Sequence, residues 1–228
     1  MVSKKDEIWG VFKAELNNRF LCLVNINGDD TLCYVPSSCR LSNFVQLEGK
    51  AVLVKPVTAT NARTRYSLFA VKRGRSVILL NLSAANKIVE QQLSRRVFAF
   101  LGKRVSVSHE YLVDGYKTDL FVHDTDTIIE VKSLISYSKE ASFPTVISER
   151  SVKQLTKIDE LLKRGYKACY IIISYSPTVH SVSINRKDRL FYEAFNNCIN
   201  DGMLYKAYSI RLTENIPVLS KEISFLVE

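Results

Sequence analysis

Apolar and polar positions alternate in short runs through the first third of the chain. Ile8 to Leu16, Arg19 to Asn27, Thr31 to Val35, Ala51 to Val57, Arg63 to Val71 and Val77 to Asn81 each read as a strand bounded by turn residues. Asn27-Gly28-Asp29-Asp30 and Lys72-Arg73-Gly74-Arg75 carry turn chemistry, and Leu41 to Val45 fits one helical turn. The period then changes. Ser83 opens a helix to about Arg96, with Ala84, Ile88, Val89 and Leu93 as its apolar stripe. From Arg104 onward the pattern predicts three strands, a helix, a strand, a helix and a final strand.

Several of these later elements have clear ends. Ser148 is a suitable N-cap for a helix from Glu149 to Arg164, and Gly165 closes it. Ala168 to Tyr175 is apolar on both faces, as a central strand is. Asp188 to Asn200 is a second amphipathic helix, and Lys206 to Leu212 the last strand. The expected fold class is therefore α/β with an all-β N-terminal domain. Residues 1–80 form a small five-stranded barrel of the oligonucleotide-binding (OB) type, and residues 81–228 a mixed sheet flanked by helices. No Pro- or Gly-rich linker separates the two, so they are expected to pack directly.

Lys117 to Lys132 holds the strongest chemistry. Thr118 to Val122 and Thr127 to Ser133 read as two strands joined by the polar turn His123-Asp124-Thr125-Asp126. Alternation places Glu130 and Lys132 on one face and Ile129 and Val131 on the other. A turn centred on Asp124-Thr125 sets Asp119 opposite Glu130, at a Cβ separation of roughly 5 Å. Like charges that close raise a pKa, and a hard divalent cation such as Mg²⁺ or Mn²⁺ relieves the repulsion. On spacing alone the stretch reads either as a solvated, salt-bridged hairpin or as such a cation site.

Composition narrows the setting. The chain has 228 residues, 46% hydrophobic, with no apolar run of membrane-span length. The N-terminal residues lack the apolar core of a secretion signal. Five cysteines without a Cys-x-x-Cys suggest neither a disulfide framework nor a zinc site, and a reducing cytoplasm is expected. The net charge is +9. Residues 1–80 carry 12 Lys/Arg against 6 Asp/Glu, and residues 81–228 carry 20 against 17. The basic excess thus concentrates in the barrel, as in a polyanion-binding module.

Lys55, Arg63, Arg65, Lys72, Arg73 and Arg75 cluster late in the barrel segment. Tyr34, Phe44, Tyr66 and Phe69 lie among the basic residues, a mixture suited either to stacking on unpaired bases or to a barrel core. Glu110, at a strand end, is a candidate to complete the cation site or to hold a second ion, or else a surface charge. Arg150 and Lys153 share a helix face and could clamp a phosphate or simply face water. His109, His123 and His180 have no ligand spacing.

Asn18-Arg19-Phe20, Tyr34-Val35-Pro36-Ser37-Ser38-Cys39-Arg40-Leu41, Arg63-Thr64-Arg65-Tyr66, Asn81 with Asn86, Glu110 with Gly115 and Asp119, Glu130-Val131-Lys132-Ser133, Phe143-Pro144 and Glu149-Arg150-Ser151-Val152-Lys153 follow one another along the chain. In this order and spacing the chain resembles the sugar fermentation stimulation protein family. Tyr34, Ser37, Ser38 and Cys39 replace the His, Asn, Thr and Gly of the family's barrel motif, while Arg40 is retained. The resemblance implies an OB barrel followed by a restriction-endonuclease-like domain of the PD-(D/E)xK nuclease type. Asp119 and Glu130 then hold Mg²⁺ or Mn²⁺ with help from the Val131 carbonyl, and Lys132 handles the attacking water. Glu110 joins them as a further catalytic carboxylate. From the charge pattern, Arg40, Lys55, Arg63, Arg65, Arg73, Arg150 and Lys153 are the candidate contacts to the nucleic acid, DNA or RNA. The function implied is metal-dependent phosphodiester hydrolysis. The alternative is a non-catalytic nucleic-acid-binding regulator of sugar metabolism.

Overall fold

The structure is a computed structural model that describes residues 8–37, 40–74, 76–213 and 216–227. Ser38, Cys39 and Arg75, singled out in the sequence, lie outside the described residues.

The first unit is built from β1 (Ile8–Glu15), β2 (Leu21–Ile26), β3 (Asp29–Tyr34), β4 (Ala51–Pro56), β5 (Tyr66–Arg73) and β6 (Ser76–Leu79). Strand β1 pairs with both β2 and β4, β2 with β3, and β4 with β5, all antiparallel. A short parallel pairing of β3 with β5, Cys33 to Tyr66 and Tyr34 to Ser67, closes the ring. Five strands thus form the expected OB-type barrel, with β6 hung on β5. Asn27 and Gly28 both take positive φ in the two-residue turn between β2 and β3, as that turn demands. Gly10 is fixed by space instead. A Cβ there would lie 2.6 Å from the Asn25 carbonyl oxygen and from Val24 Cγ1, so only glycine lets β1 lie this close to β2.

The second unit begins with α1 (Ala85–Glu90) and continues through β7 (Val107–His109), β8 (Leu112–Val113), β9 (Tyr116–Lys117), β10 (Leu120–Val122), β11 (Thr127–Leu134) and β12 (Glu140–Phe143). Then follow α2 (Glu149–Lys163), β13 (Lys167–Ser174), β14 (Ser181–Ile184), α3 (Arg189–Asn200), β15 (Leu204–Thr213) and β16 (Ile216–Leu226). Eight strands form one mixed sheet in the order β12-β14-β16-β15-β13-β11-β10-β7, and β8 with β9 makes a separate hairpin. Ser148 caps α2 through the Ser151 amide, and Asp188 caps α3 through Phe191.

Alternation along the central strands sends side chains into two cores. Ile129, Val131, Ile171, Ile173 and Tyr208 join the barrel's Val24, Val54 and Leu68 in one continuous cluster. Ile128, Tyr170 and Ile172 meet Leu155 and Ile158 of α2 and Phe191 and Phe195 of α3 in the other. The barrel is tied on further by polar contacts. Arg73 donates to the Tyr137 carbonyl at 2.6 Å, and the Tyr137 hydroxyl donates to the Gln46 carbonyl at 3.2 Å.

Three expectations change. The helix predicted from Ser83 to Arg96 is α-helical only over Ala85–Glu90, between two 3-10 turns. Gln92 explains its end. The side chain turns inward, donates to the Ile88 carbonyl and accepts from the Leu219 amide of β16, so the chain leaves the helix there. The strand predicted from Val105 to Tyr111 shrinks to Val107–His109, because Glu110 takes φ +48° and turns the chain. Finally, β8, β9, β12, β14 and β16 add five strands to the predicted order. Among the described residues no helix is long and apolar enough to cross a membrane.

Candidate functional site

The hairpin of β10 and β11 has the register expected of a turn at Asp124-Thr125. Leu120 pairs with Ile129, Phe121 with Ile128 and Val122 with Thr127. Asp119 immediately precedes β10, across from Glu130 in that register. One Asp119 oxygen, Oδ2, accepts from the Val131 amide at 2.8 Å, and the other, Oδ1, accepts from the Asn86 side-chain amide at 2.9 Å. Glu130 is buried, at 1% exposure. The Tyr116 hydroxyl donates to its Oε2 at 2.5 Å, and the Lys132 ammonium donates to its Oε1. Lys132 Nζ also donates to Gln154 Oε1 on α2 at 2.9 Å. Beside Glu130, Asp119 is half-buried and the Lys132 side chain is 21% exposed.

The electrostatics follow from this packing. Burial pushes the Glu130 carboxyl above the usual carboxylate range, the Lys132 ammonium opposes the shift, and the Asp119 charge adds to it. The Tyr116 and Tyr170 hydroxyls are held neutral by burial, with Glu130 next in effect. Tyr170, register partner of Glu130, has its hydroxyl buried without a hydrogen-bond partner. Two carboxylates thus share a poorly solvated corner with one ammonium and an unsatisfied hydroxyl. That donor set is oxygen-rich, and with both carboxylates ionised it is one positive charge short of neutral. It suits a hard cation.

Glu110 stands apart. Its carboxylate pairs with Lys117 at 2.7 Å on the surface, which holds its pKa low. Among the described residues no three His, Cys, Asp or Glu side chains gather into a cation cage, so Glu110 does not complete a set with Asp119 and Glu130. The positive φ of Glu110 is the reason: the turn there directs the side chain toward Lys117 rather than along the strand.

The basic residues divide. Arg150 and Lys153 are exposed on the first turns of α2, the helix that carries Gln154. Arg63 and Arg65 are exposed on the loop between β4 and β5. Arg73 lies over the Tyr137 ring, 4.4 Å from its centroid, and serves the joint between the two units. Arg40 donates to the Leu16 and Asn17 carbonyls at 3.2 and 2.9 Å and so pins the loop between β1 and β2. Lys55 Nζ sits 3.5 Å above the Phe69 ring. Phe44, Tyr66 and Phe69 pack against the core, whereas Tyr34 is 41% exposed. Sequence reasoning gave no site role to Asn86, Tyr116, Gln154 or Tyr170. Asn86 was a mark of the family resemblance only, and Gln154 lies one helical turn after Arg150, on the same face.

The models of two sequence families match the chain. The "Sugar fermentation stimulation protein RE domain" covers residues 83–216, and the "SfsA N-terminal OB domain" covers residues 16–80. The chain belongs to the SfsA family. Among its relatives, the sugar fermentation stimulation protein homolog of Clostridium perfringens (strain 13 / Type A) is 28% identical over 202 residues, 86% of this chain and 87% of that one. The homolog of Clostridium kluyveri (strain NBRC 12016) is 26% identical over 222 residues, 93% of this chain and 96% of the relative. The structure of Pyrococcus furiosus SfsA in complex with Ca²⁺ superposes with a TM-score of 0.82 at 18% identity, covering 96% of each chain. The SfsA fold, an OB-type barrel followed by a mixed-sheet α/β domain, is therefore shared at low sequence identity.

In this SfsA-family chain the hairpin that carries the site is itself anchored at its turn. Asp124 Oδ2 accepts from the Val105 and Ser106 amides, both at 2.7 Å, and Oδ1 pairs with Lys103 at 3.1 Å. The Ser106 amide bond, the largest cause, and the Lys103 contact hold the Asp124 carboxyl below its ordinary pKa. A lowered pKa stabilises the fold above the unfolded-state value, and the contribution is lost as pH falls through the folded-state value. Asp124→Asn is expected to melt below the wild-type protein at neutral pH, with the difference shrinking as the solution is acidified through the carboxyl range. Thermal melts across a pH series check this. A difference that stays constant at every pH would remove the carboxylate from the account.

Proposed function

We propose that the protein hydrolyses phosphodiester bonds of DNA or RNA with a divalent cation, the barrel holding the nucleic acid. The observation that carries this reading is the convergence of Asp119, Glu130 and Lys132, with the Lys132 ammonium on Glu130 and the Asp119 carboxylate on the Val131 amide. Asp119, Glu130 and the Val131 carbonyl would hold Mg²⁺ or Mn²⁺, which favour oxygen donors. The Ca²⁺ complex of the Pyrococcus furiosus relative, with another oxygen-seeking cation, supports the same reading. When bound, the cation polarises the phosphate and lowers the pKa of the attacking water.

The chain's own residues orient that chemistry. Asn86 and the Val131 amide fix Asp119, and Tyr116 fixes Glu130. Lys132 spends one N–H on Glu130 and one on Gln154. An ammonium has three, so one remains for a phosphate oxygen or the attacking water. Arg150 and Lys153 contact flanking phosphates from α2.

Labelled single- and double-stranded DNA and RNA, incubated with Mg²⁺, Mn²⁺ or a chelator, test the proposal. Cleavage that requires the cation and disappears in Lys132→Ala supports it. Binding without cleavage under any divalent cation supports the second reading, a nucleic-acid-binding regulator. The relatives' names, which record sugar fermentation stimulation, favour that one.

The barrel's share is tested by salt. Affinity is expected to fall as salt rises, with a log–log slope of about 0.7 to 0.9 per phosphate neutralised. Replacing both Arg63 and Arg65 with Glu should weaken binding and flatten that slope by about one to two. Cleavage at saturating substrate should persist. Titrations at several salt concentrations read the slope, and one equal to the wild-type value would take this loop out of the interface.

A further inference from the structure

A cavity of about 510 Å³ opens on the barrel, away from Asp119 and Glu130. Its walls are mainly apolar: Phe20, Leu21, Leu32, Tyr34 and Val57, with Arg63 also lining it. The size falls within the roughly 300–1,000 Å³ of small-molecule sites. The elements that line it are the loop between β1 and β2, the faces of β2 and β3, and the loop between β4 and β5.

Two rings dominate it. Phe20 is 38% exposed and Tyr34 41%, although neither lacks apolar company. Their planes are within 17° of parallel, with centroids 6.5 Å apart. They are held so by the backbone, because Leu21 pairs with Tyr34 and the Val35 amide donates to the Phe20 carbonyl at 2.8 Å. Both rings line the cavity and offer it a near-parallel aromatic pair. The Arg19 guanidinium lies 4.8 Å from the Phe20 centroid, and the exposed Arg63 lines the cavity. An aromatic pair with guanidinium groups around it matches one chemistry well: a flat aromatic ring attached to an anion.

We propose that this cavity takes an unpaired nucleobase of a single strand, stacked against the Phe20 and Tyr34 rings with Arg63 on a neighbouring phosphate. The proposal rests on the barrel's role as the nucleic-acid holder and makes it specific. A base inside a duplex is stacked on both faces and presents none to the rings. The barrel therefore discriminates single strand from duplex, by stacking that any base provides.

The test is binding by fluorescence anisotropy, using the full-length protein in chelator so that nothing is cut. The probes are a short thymidylate single strand, an abasic strand of the same length and charge, and the matching duplex. The wild-type protein is expected to bind the thymidylate strand most tightly. Phe20→Ala and Tyr34→Ala should each weaken that binding about tenfold and leave the abasic strand unaffected. Tyr34→Phe should retain wild-type affinity, and melting curves confirm that each variant is folded. Equal losses for the thymidylate and abasic strands, or no loss at all, overturn the base pocket while leaving the barrel as a backbone grip. A wild-type protein that binds none of the probes overturns both.

Discussion

If the protein is the nuclease proposed above, Glu130→Gln is expected to stay folded and to lose most of its cleavage. Glu130 Oε1 accepts from Lys132 and Oε2 accepts from the Tyr116 hydroxyl. A glutamine can keep its oxygen toward Lys132 and turn its amide toward Tyr116, whose hydroxyl also accepts. Burial already disfavours the charged form here, so the neutral side chain relieves that cost while Lys132 loses its counter-charge. The two effects oppose, and Tm is expected to stay within about 5 °C of wild type. Catalysis has no such compensation. Removing one charged partner from a preorganised site costs about 10²–10³ in rate, and cation affinity should fall with it. Asp119→Asn is a less clean probe, because Asp119 accepts at both oxygens and an amide accepts at one. Single-turnover cleavage beside a thermal melt separates the outcomes. A Glu130→Gln protein that cleaves at the wild-type rate would end the metal-site reading.

Phe195→Ala should be the most damaging single change to stability. Phe195 is fully buried on α3, edge-to-face with Tyr170 at 5.1 Å and stacked with Phe191 at 5.9 Å. Tyr205 and Phe225 close the other sides at 6.1 and 5.8 Å. Four rings around one cannot collapse into the space it leaves. A phenylalanine truncated in such a place costs about 3–5 kcal/mol. Against a total of roughly 5–15 kcal/mol, that is a large share. Tm is expected to fall by about 10 °C. Because Tyr170 is the register partner of Glu130, any cleavage under the proposed function should fall in the surviving folded protein as well. Differential scanning calorimetry checks the first effect, and a loss within about 1 kcal/mol would mean the cluster repacks.

The sequence carried the barrel and the hairpin because both depend on local signals. Asn27-Gly28 announces its turn, and the polar run from His123 to Asp126 sets the register that brings Asp119 beside Glu130. For Glu110 the sequence left a site role and a surface charge both open; its ion pair with Lys117 follows a backbone angle, φ +48°, that no side-chain pattern encodes. Strand β16 was illegible for another reason. Pro217, Lys221 and Glu222 make it look solvated, yet it lies between β14 and β15, where partners distant in sequence supply its hydrogen bonds. The aromatic residues of the barrel could not be sorted by type. Phe44 and Phe69 pack against the core and Tyr34 does not, a difference made only when the barrel closes.

That closure has a mechanical consequence. The barrel and the central sheet contribute side chains to a single core, and Arg73 clasps Tyr137 across the seam. The two units therefore hold a constant distance, like the jaws of a locked caliper. A strand gripped by one would present the same linkage to the other at each encounter. The molecule would measure its substrate from the gripped end.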